Sequence, residues 1–365
     1  MSTRDASTII YRNDYRTRYI NYVVKQNAKD QPFLNILGGS GAANEASEVT
    51  KLTIGSTLVP NDEMDFLLNR NQEGPTTTSS TLFTGTQMPL QTVVTPSGVF
   101  MTDGSTTLYT IPPSLTPVIF PDPIVSLVVS PSGNLYVATE TGIYQNTPSG
   151  VVNLNISGAS NISAMVAGDK LYFAKGSQIY SAVGNSPATV VAGSSSGFAD
   201  GIGASAQFNS PMGLALGSDL LWISDTGNSL IRTMTLSPPY IVSTVAGNCV
   251  QYIDASITDN VGNKDGSGIH GETLLYNPQG IAFANSTLYI ADTGNNNIRA
   301  LKDGTLRTIS GRAGVPPIYE QSPAGYLDSP SGDSLWDAPV SISADASSLY
   351  VSEPLNNAVR VITLV

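Results

Sequence analysis

"YIADTGNNNIRAL", Tyr289 to Leu301, places Asp292 seven positions before Arg299 around a run of asparagines, in a chain of 365 residues of which only 12% are charged. The arrangement returns as "WISDTGNSLIRTM" (Trp222 to Met234) and as "YVSEPLNNAVRVI" (Tyr350 to Ile362). A catalytic centre is seldom written three times in one chain, whereas a structural unit often is, so the repeat is followed outward first. An apolar residue followed by an aromatic one opens a β-like run at Leu108-Tyr109, Leu135-Tyr136, Leu171-Tyr172, Leu221-Trp222, Leu288-Tyr289 and Leu349-Tyr350.

Around these pairs the chain reads as short apolar strand, turn, second strand, turn and third strand, as in "GIAFA", "TLYIAD" and "NIRALK". "PATVVAG", "PYIVSTVAG" and "TLRTISG" add a fourth strand with β-branched residues and a closing glycine. About six such units predict an all-β fold, a six-bladed β-propeller, because a four-stranded blade cannot bury its faces alone and must stack in a ring. The last unit ends on its third strand, "AVRVITLV", and "MPLQTVV" (Met88 to Val94) is the expected source of its outer strand. The predicted divisions are a helical arm over 1–37, a linker over 38–87 and the propeller over 88–365.

Composition agrees with a turn-rich β fold: 41% hydrophobic residues with 34 Gly and 23 Pro. The single Cys249 excludes an internal disulfide framework, and the single His270 excludes a multi-histidine metal centre within one chain. No run is apolar enough to read as a transmembrane segment or secretory signal, which leads to the expectation of a soluble intracellular protein. Of 17 basic and 28 acidic residues, the first thirty positions hold six and three, leaving a remainder with 11 and 25 and a net charge of -14. Such a body repels phosphate backbones, so nucleic-acid binding by the propeller is not expected.

The stretch "FADGIGASAQFNSPMGLALGSDLLWISDTGNSLIRTM" with the later "STVAG" resembles an NHL repeat, the propeller unit written as D-G, A-x-F-x-x-P-x-G, then Y-V-A-D-T-x-N-N-x-I-R. "DGSGIHGETLLYNPQGIAF" before the 289–301 motif is a second copy, and "SLWDAPVSISADASSLYVSEPLNNAVRVI" a third, with Glu353 for Asp and Pro354-Leu355 for Thr-Gly. The likeness covers roughly 197–365, while "LYVATETGIYQ" and "LYFAKGSQIYS" lack both the Asn pair and the Arg. The resemblance implies a six-bladed propeller that binds protein, RNA or small ligands, with some relatives acting as lyases or hydrolases.

Two readings of the repeated polar residues stand side by side. In the first, Asp225 pairs with Arg232, Asp292 with Arg299 and Glu353 with Arg360, fixing hairpin register, while Asn and Gly serve the turn. In the second, Asp225, Asn228, Asp292, Asn295, Asn296, Glu353 and Asn356 ring an axial mouth and hold a Ca-like cation or polar ligand, supporting a lyase or hydrolase. His270 lies alone in a loop and reads as surface rather than catalyst. No nucleophile elbow, phosphate-cradling loop or paired-Cys motif is present. Long loops over 248–278 and 312–339 place Tyr252, Tyr319, Tyr326 and Trp336 as candidate partner contacts.

The opening "DASTIIYRNDYRTRYINYVVKQNAKD" spaces Tyr11, Tyr15 and Tyr19 four apart with Arg12 and Arg16 between, predicting a basic amphipathic helix that docks a protein partner. "GGSGAANEASE" and "NQEGPTTTSSTLFTGT" read as flexible tether. The leader also resembles those of some proteins of large DNA viruses, which implies a propeller recruited to a virion. Protein binding without catalysis is the favoured reading.

Overall fold

A computed structural model describes residues 77–111, 117–248, 261–267, 273–314, 321–329 and 334–364. All belong to the compact unit Pro75–Val365. The arm, with the helix expected over Tyr11 to Tyr19, lies outside the described residues, as do Cys249, Tyr252, His270 and Tyr319.

Six antiparallel sheets are present among the described residues. From the axis outward, blade 1 is Gln91–Thr95, Gly98–Thr102, Thr107–Ile111 and Val118–Ile119, and blade 2 is Ile124–Val129, Leu135–Thr139, Ile143–Thr147 and Gly150–Asn153. Blade 3 is Ala164–Ala167, Leu171–Lys175, Gln178–Ala182 and Thr189–Ala192. Blade 4 runs Gly213–Gly217, Leu220–Asp225, Leu230–Thr235 and Ile241–Ala246, with Gly201–Ile202 added outside. Blade 5 is Pro278–Ala284, Thr287–Asp292, Asn297–Lys302 and Thr305–Ser310, with Gly266–Ser267 outside. Blade 6 is Ser341–Ala344, Ser348–Glu353 and Ala358–Thr363, closed by Thr78–Thr84. Each inner strand packs on the inner strands of both neighbours, and the sixth packs on the first, so the blades form a closed ring.

The core lies between blades, in layers such as Val93, Leu127, Val137 and Tyr144 between the first two and Ile298, Trp336, Val351 and Ile362 between the last two. Close approach of the inner strands depends on missing side chains. A Cβ on Gly213 would collide with the Gln279 carbonyl, and one on Gly280 would lie 2.6 Å from Ser341 Cα. Side-chain bonds stitch the junctions: Gln91 Oε1 accepts from the Leu127 amide (2.8 Å), Ser163 donates to the Pro211 carbonyl (2.7 Å), and Thr226 and Thr293 donate to the carbonyls of Pro278 (2.6 Å) and Pro339 (2.7 Å). Thr92 and Ser352 join the sixth blade to the first at 3.1 Å. The Thr of the repeated D-T-G-N is thus the hook onto the next blade.

Two expectations about strand order are corrected. Met88 to Val94 does not supply the outer strand of blade 6, because Gln91–Thr95 is the inner strand of blade 1 and pairs with Gly98–Thr102. The closing strand is Thr78–Thr84, inside the stretch read as tether, paired from Thr78↔Thr363 to Thr84↔Ala358. Its inward residue Ser79 is polar, so no hydrophobic alternation marks it, yet β-branched threonine suits a strand. Leu108-Tyr109 also lies on the third strand of blade 1; the second-strand aromatic there is Phe100, which faces Thr110.

A chain starting at Pro75 is therefore expected to melt like the full protein. One starting at Met88 leaves the edge Ala358–Thr363 unpaired and melts at lower temperature or aggregates. Thermal unfolding followed by circular dichroism compares the two, and equal midpoints would refute the closure.

Candidate functional site

The second strand of each C-terminal blade ends in a buried carboxylate followed by a one-turn helix, Thr226–Asn228, Thr293–Asn295 or Pro354–Asn356. The turn then passes through a left-handed residue, Ser229, Asn296 or Asn357, with φ between 49° and 55°. This reversal brings the third-strand Arg back onto the carboxylate. Arg232 Nη1 donates to Asp225 Oδ2 at 2.8 Å, Arg299 Nη1 to Asp292 Oδ2 at 2.7 Å and Arg360 Nη1 to Glu353 Oε2 at 3.2 Å. All six side chains are fully buried.

The asparagines and the incoming loop complete each carboxylate. Asn228 donates to Asp225 at 2.8 Å, Asn295 to Asp292 at 2.8 Å and Asn356 to Glu353 at 2.7 Å. The amides of Asn209, Tyr276 and Asp337 donate to the same three acids. Burial pushes the Asp225, Asp292 and Glu353 carboxyls above their ordinary pKa, and these amides, asparagines and arginines pull each back toward ionisation. Asn296 instead bridges loops, donating to the Ser322 carbonyl at 3.0 Å and accepting from the Ala338 amide at 2.9 Å.

Each Arg also meets a second, partly exposed carboxylate that the sequence reading left without a role. Arg232 reaches Asp200 at 2.6 Å, Arg299 reaches Asp265 at 2.6 Å and Arg360 reaches Asp328 at 2.9 Å. These acids bind a threonine of the outer strand: Asp200 takes Thr244 Oγ1 at 3.1 Å, Asp265 takes Thr308 Oγ1 at 3.0 Å and Asp328 takes Thr81 Oγ1 at 2.7 Å. The D-G of the repeat was the available signal for Asp200 and Asp265, whereas Asp328 is followed by Ser329. The threonines are legible as the T of "STVAG", "RTISG" and "STLFT", the last of which is the closing strand.

Aromatic rings cover two of the guanidinium groups. Phe198 and Phe208 lie 5.0 and 5.2 Å from Arg232, and Tyr326 and Trp336 lie 5.4 and 4.0 Å from Arg360. Trp336 is fully buried and donates to Ser310 Oγ at 3.0 Å, so its expected role as a partner contact is corrected. Tyr326 keeps 47% exposure.

Blades 1 to 3 place tyrosine where blades 4 to 6 place arginine. The strand partner of Arg232 is Ile223, and at the same register Tyr109 faces Met101, Tyr144 faces Val137 and Tyr180 faces Phe173. The Tyr109 hydroxyl donates to Asp103 at 3.3 Å, Tyr180 stacks on Phe173 at 5.5 Å, and Tyr144 meets Phe120 edge-on at 5.9 Å. Neutral ring packing thus replaces ion pairing in half of the ring.

The axial channel is lined by the six inner strands and carries no charged side chain among its described lining residues. Asp225, Asp292 and Glu353 are absent from that lining, each being held by its own arginine. Of the two readings of these acids, pairing with the third-strand arginine is the one these distances support. Among the described residues no group of three His, Cys, Asp or Glu is placed to hold a metal ion, and no helix is long and apolar enough to cross a membrane.

Such geometry defines a six-bladed repeat propeller. No family model matches the chain. A stretch of 119 residues is 34% identical to NHL repeat-containing protein 2 of Gallus gallus, covering 30% of this chain and 15% of that protein. Another of 197 residues is 29% identical to the protein of that name in Bos taurus, covering 48% and 25%. The matched region spans a quarter or less of these relatives. Among solved structures, a protein of unknown function from Bacteroides thetaiotaomicron superposes with a TM-score of 0.61 at 16% identity, over 79% of this chain and 76% of that one. A virginiamycin B lyase from Staphylococcus aureus superposes at 0.50 with 15% identity, over 79% and 100%, which is a likeness of fold. The chain is a six-bladed β-propeller whose C-terminal repeats are similar to those of NHL repeat-containing proteins.

Arg299→Leu strands Asp292 in the interior and is expected to cost about 3–5 kcal/mol. The double variant Asp292→Leu with Arg299→Leu should cost less than the sum of its singles, whereas Tyr180→Phe should cost about 1 kcal/mol. Denaturant titration measures all four, and strict additivity of the pair would contradict the coupling.

Proposed function

We propose that the chain is a non-enzymatic protein-interaction propeller that meets its partner through blade 6 and its N-terminal arm. The observation that carries this reading is where the third repeat departs from the other two. Pro354-Leu355 replaces Thr-Gly, and Leu355 stands 59% exposed at the turn. Asn356 beside it binds the Gly325 carbonyl at 3.0 Å, which brings in Tyr326 and Leu327, 47% and 49% exposed. The Tyr326 hydroxyl bonds Thr81 Oγ1 at 2.6 Å, next to Leu82 at 41% exposure. Clustered apolar and aromatic side chains of this kind suit a protein surface.

The arm, with Tyr11, Arg12, Tyr15, Arg16 and Tyr19, supplies the second anchor in this proposal. The acidic remainder disfavours RNA as the partner. A place in a virion rests on the leader's resemblance alone and forms no part of the proposal. The lyase or hydrolase reading has the fold of the superposed virginiamycin B lyase behind it, but the carboxylates it would draw on, Asp225, Asp292 and Glu353, are each paired with an arginine.

Leu355→Gly restores the residue of the other two repeats, so it tests the surface without disturbing the turn. Combined with Tyr326→Ser and Leu327→Ser, it should abolish cross-linking to the proteins that the wild-type chain retains, with unchanged circular dichroism. Deletion of residues 1–37 should leave a folded propeller that no longer co-purifies with them. Retention of the same proteins by both variants would overturn the proposal.

A further inference from the structure

The outermost strand of a sheet leaves alternate amides and carbonyls without a ladder partner, and folded proteins cover, shorten, bulge or charge such edges. Blades 4 and 5 cover theirs with the added strands Gly201–Ile202 and Gly266–Ser267, antiparallel to Ile241–Ala246 and Thr305–Ser310. Asp200 and Asp265 extend the cover by accepting from the amides of Thr244 and Thr308, both at 3.0 Å. In blade 6 the Ser329 carbonyl accepts from the Ser79 amide at 2.9 Å. Blade 3 has a register shift in its outer pairing, and the Ser157 carbonyl takes the Ala188 amide just before its outer strand at 2.9 Å. The outer strand of blade 1 is two residues long.

Blade 2 has none of these devices. Its outer strand Gly150–Asn153 pairs without a shift from Tyr144↔Asn153 to Thr147↔Gly150, and it contains neither a charge nor a proline. The Leu154 amide donates inward to the Ile143 carbonyl at 3.0 Å, so by alternation Val152 also bonds into the ladder while Val151 and Asn153 turn their backbone outward. These two correspond to Val242 and Thr244 of blade 4, because Asn153 faces Tyr144 as Thr244 faces Arg232. Among the described residues neither of the two amides has a partner. Val152 between them is 48% exposed.

The structure assigns this edge to an extended segment of a protein partner, added as an antiparallel strand in the place that Gly201–Ile202 and Gly266–Ser267 fill in blades 4 and 5. The same ring thus shows what kind of segment covers such an edge. Main-chain bonds from the Val151 and Asn153 amides hold the added strand, and the Val151 carbonyl receives an amide in return. The Asn153 carbonyl is already taken by Asn155 Nδ2 at 3.3 Å. A partner residue opposite Val152 meets an exposed valine, which favours a β-branched or aromatic side chain there. An acid in the manner of Asp200 would find Tyr144 where blade 4 offers Arg232. This edge belongs to a different blade from the exposed cluster on blade 6, and the assignment stands whether or not that cluster binds a protein.

The test uses the full chain and a phage-displayed library of random dodecapeptides. Selection on the wild-type chain is expected to yield peptides rich in β-branched residues that, made synthetically, bind one per chain and slow hydrogen exchange across residues 150–155. Val151→Pro removes an outward amide without breaking a ladder bond, and Val152→Lys sets a charge on the edge. At least one of these variants, with the circular dichroism of wild type, should bind the peptide at least about tenfold more weakly. The triple blade 6 variant should bind it as wild type does. The proposal is overturned if no selected peptide protects residues 150–155, or if both edge variants bind at wild-type strength. Protection of these residues that grows with protein concentration in the absence of peptide would also overturn it, by making a second copy of the chain the occupant.

Discussion

A buried guanidinium held between two carboxylates is the interaction on which the C-terminal half of the ring depends. Arginine keeps its charge at any physiological pH, and its five N–H donors form a rigid fork, so its burial is tolerable only when most of them find acceptors. Arg232 meets this demand with Asp225 and Asp200 and with the carbonyls of Gln207 and Ala199, at 2.6 to 3.2 Å. Those acceptors come from the second strand and from the loop segments on either side of the added outer strand Gly201–Ile202. One side chain therefore ties together the pieces that a four-stranded hairpin array would otherwise leave free to slip. The outer acid extends the tie, since Asp200 also takes the amide of Thr244 on the fourth strand at 3.0 Å.

Blade 6 shows that this arrangement does not need a continuous chain. Its fourth strand comes from the other end of the domain, yet Thr81 faces Arg360 just as Thr244 faces Arg232 and Thr308 faces Arg299. A register shift follows the threonine in all three pairings. The ring is closed by the chemistry that organises its ordinary blades. Blades 1 to 3 use Tyr109, Tyr144 and Tyr180 at the corresponding position, where ring packing and single hydroxyl bonds replace the ionic ties. Removing a tyrosine hydroxyl leaves no stranded charge, so the two halves of the ring respond differently to damage at equivalent positions.

The propeller was legible because its strands alternate and its turns use Asp, Asn and Gly, both of which are local properties. Pairing of Asp292 with Arg299 was legible as one of two readings, because spacing alone does not say whether a carboxylate faces an arginine or the axis. Four features escaped for physical reasons. The closing strand Thr78–Thr84 buries only Ser79, with Thr81 and Phe83 half-buried on the strand, so its composition is close to that of a tether. Asp200, Asp265 and Asp328 lie more than thirty residues before the arginines they bind, so local spacing does not pair them with those arginines. Trp336, on a long loop in the sequence, folds inward because Arg360 offers it a cation at 4.0 Å. Tyr109 was assigned to the wrong strand because its neighbour Leu108 mimics the second-strand pair, whereas Phe100 occupies that place.

The account's central claim is that the N-terminal strand closes blade 6 through the same arginine, acid and threonine ties as blades 4 and 5. Native-state hydrogen exchange, read by mass spectrometry on the full chain, tests it most directly. Amides of Thr78–Thr84 should exchange as slowly as those of Ile241–Ala246 and Thr305–Ser310. Exchange of Thr78–Thr84 on the timescale of an unprotected chain, with the other two strands protected, would contradict it.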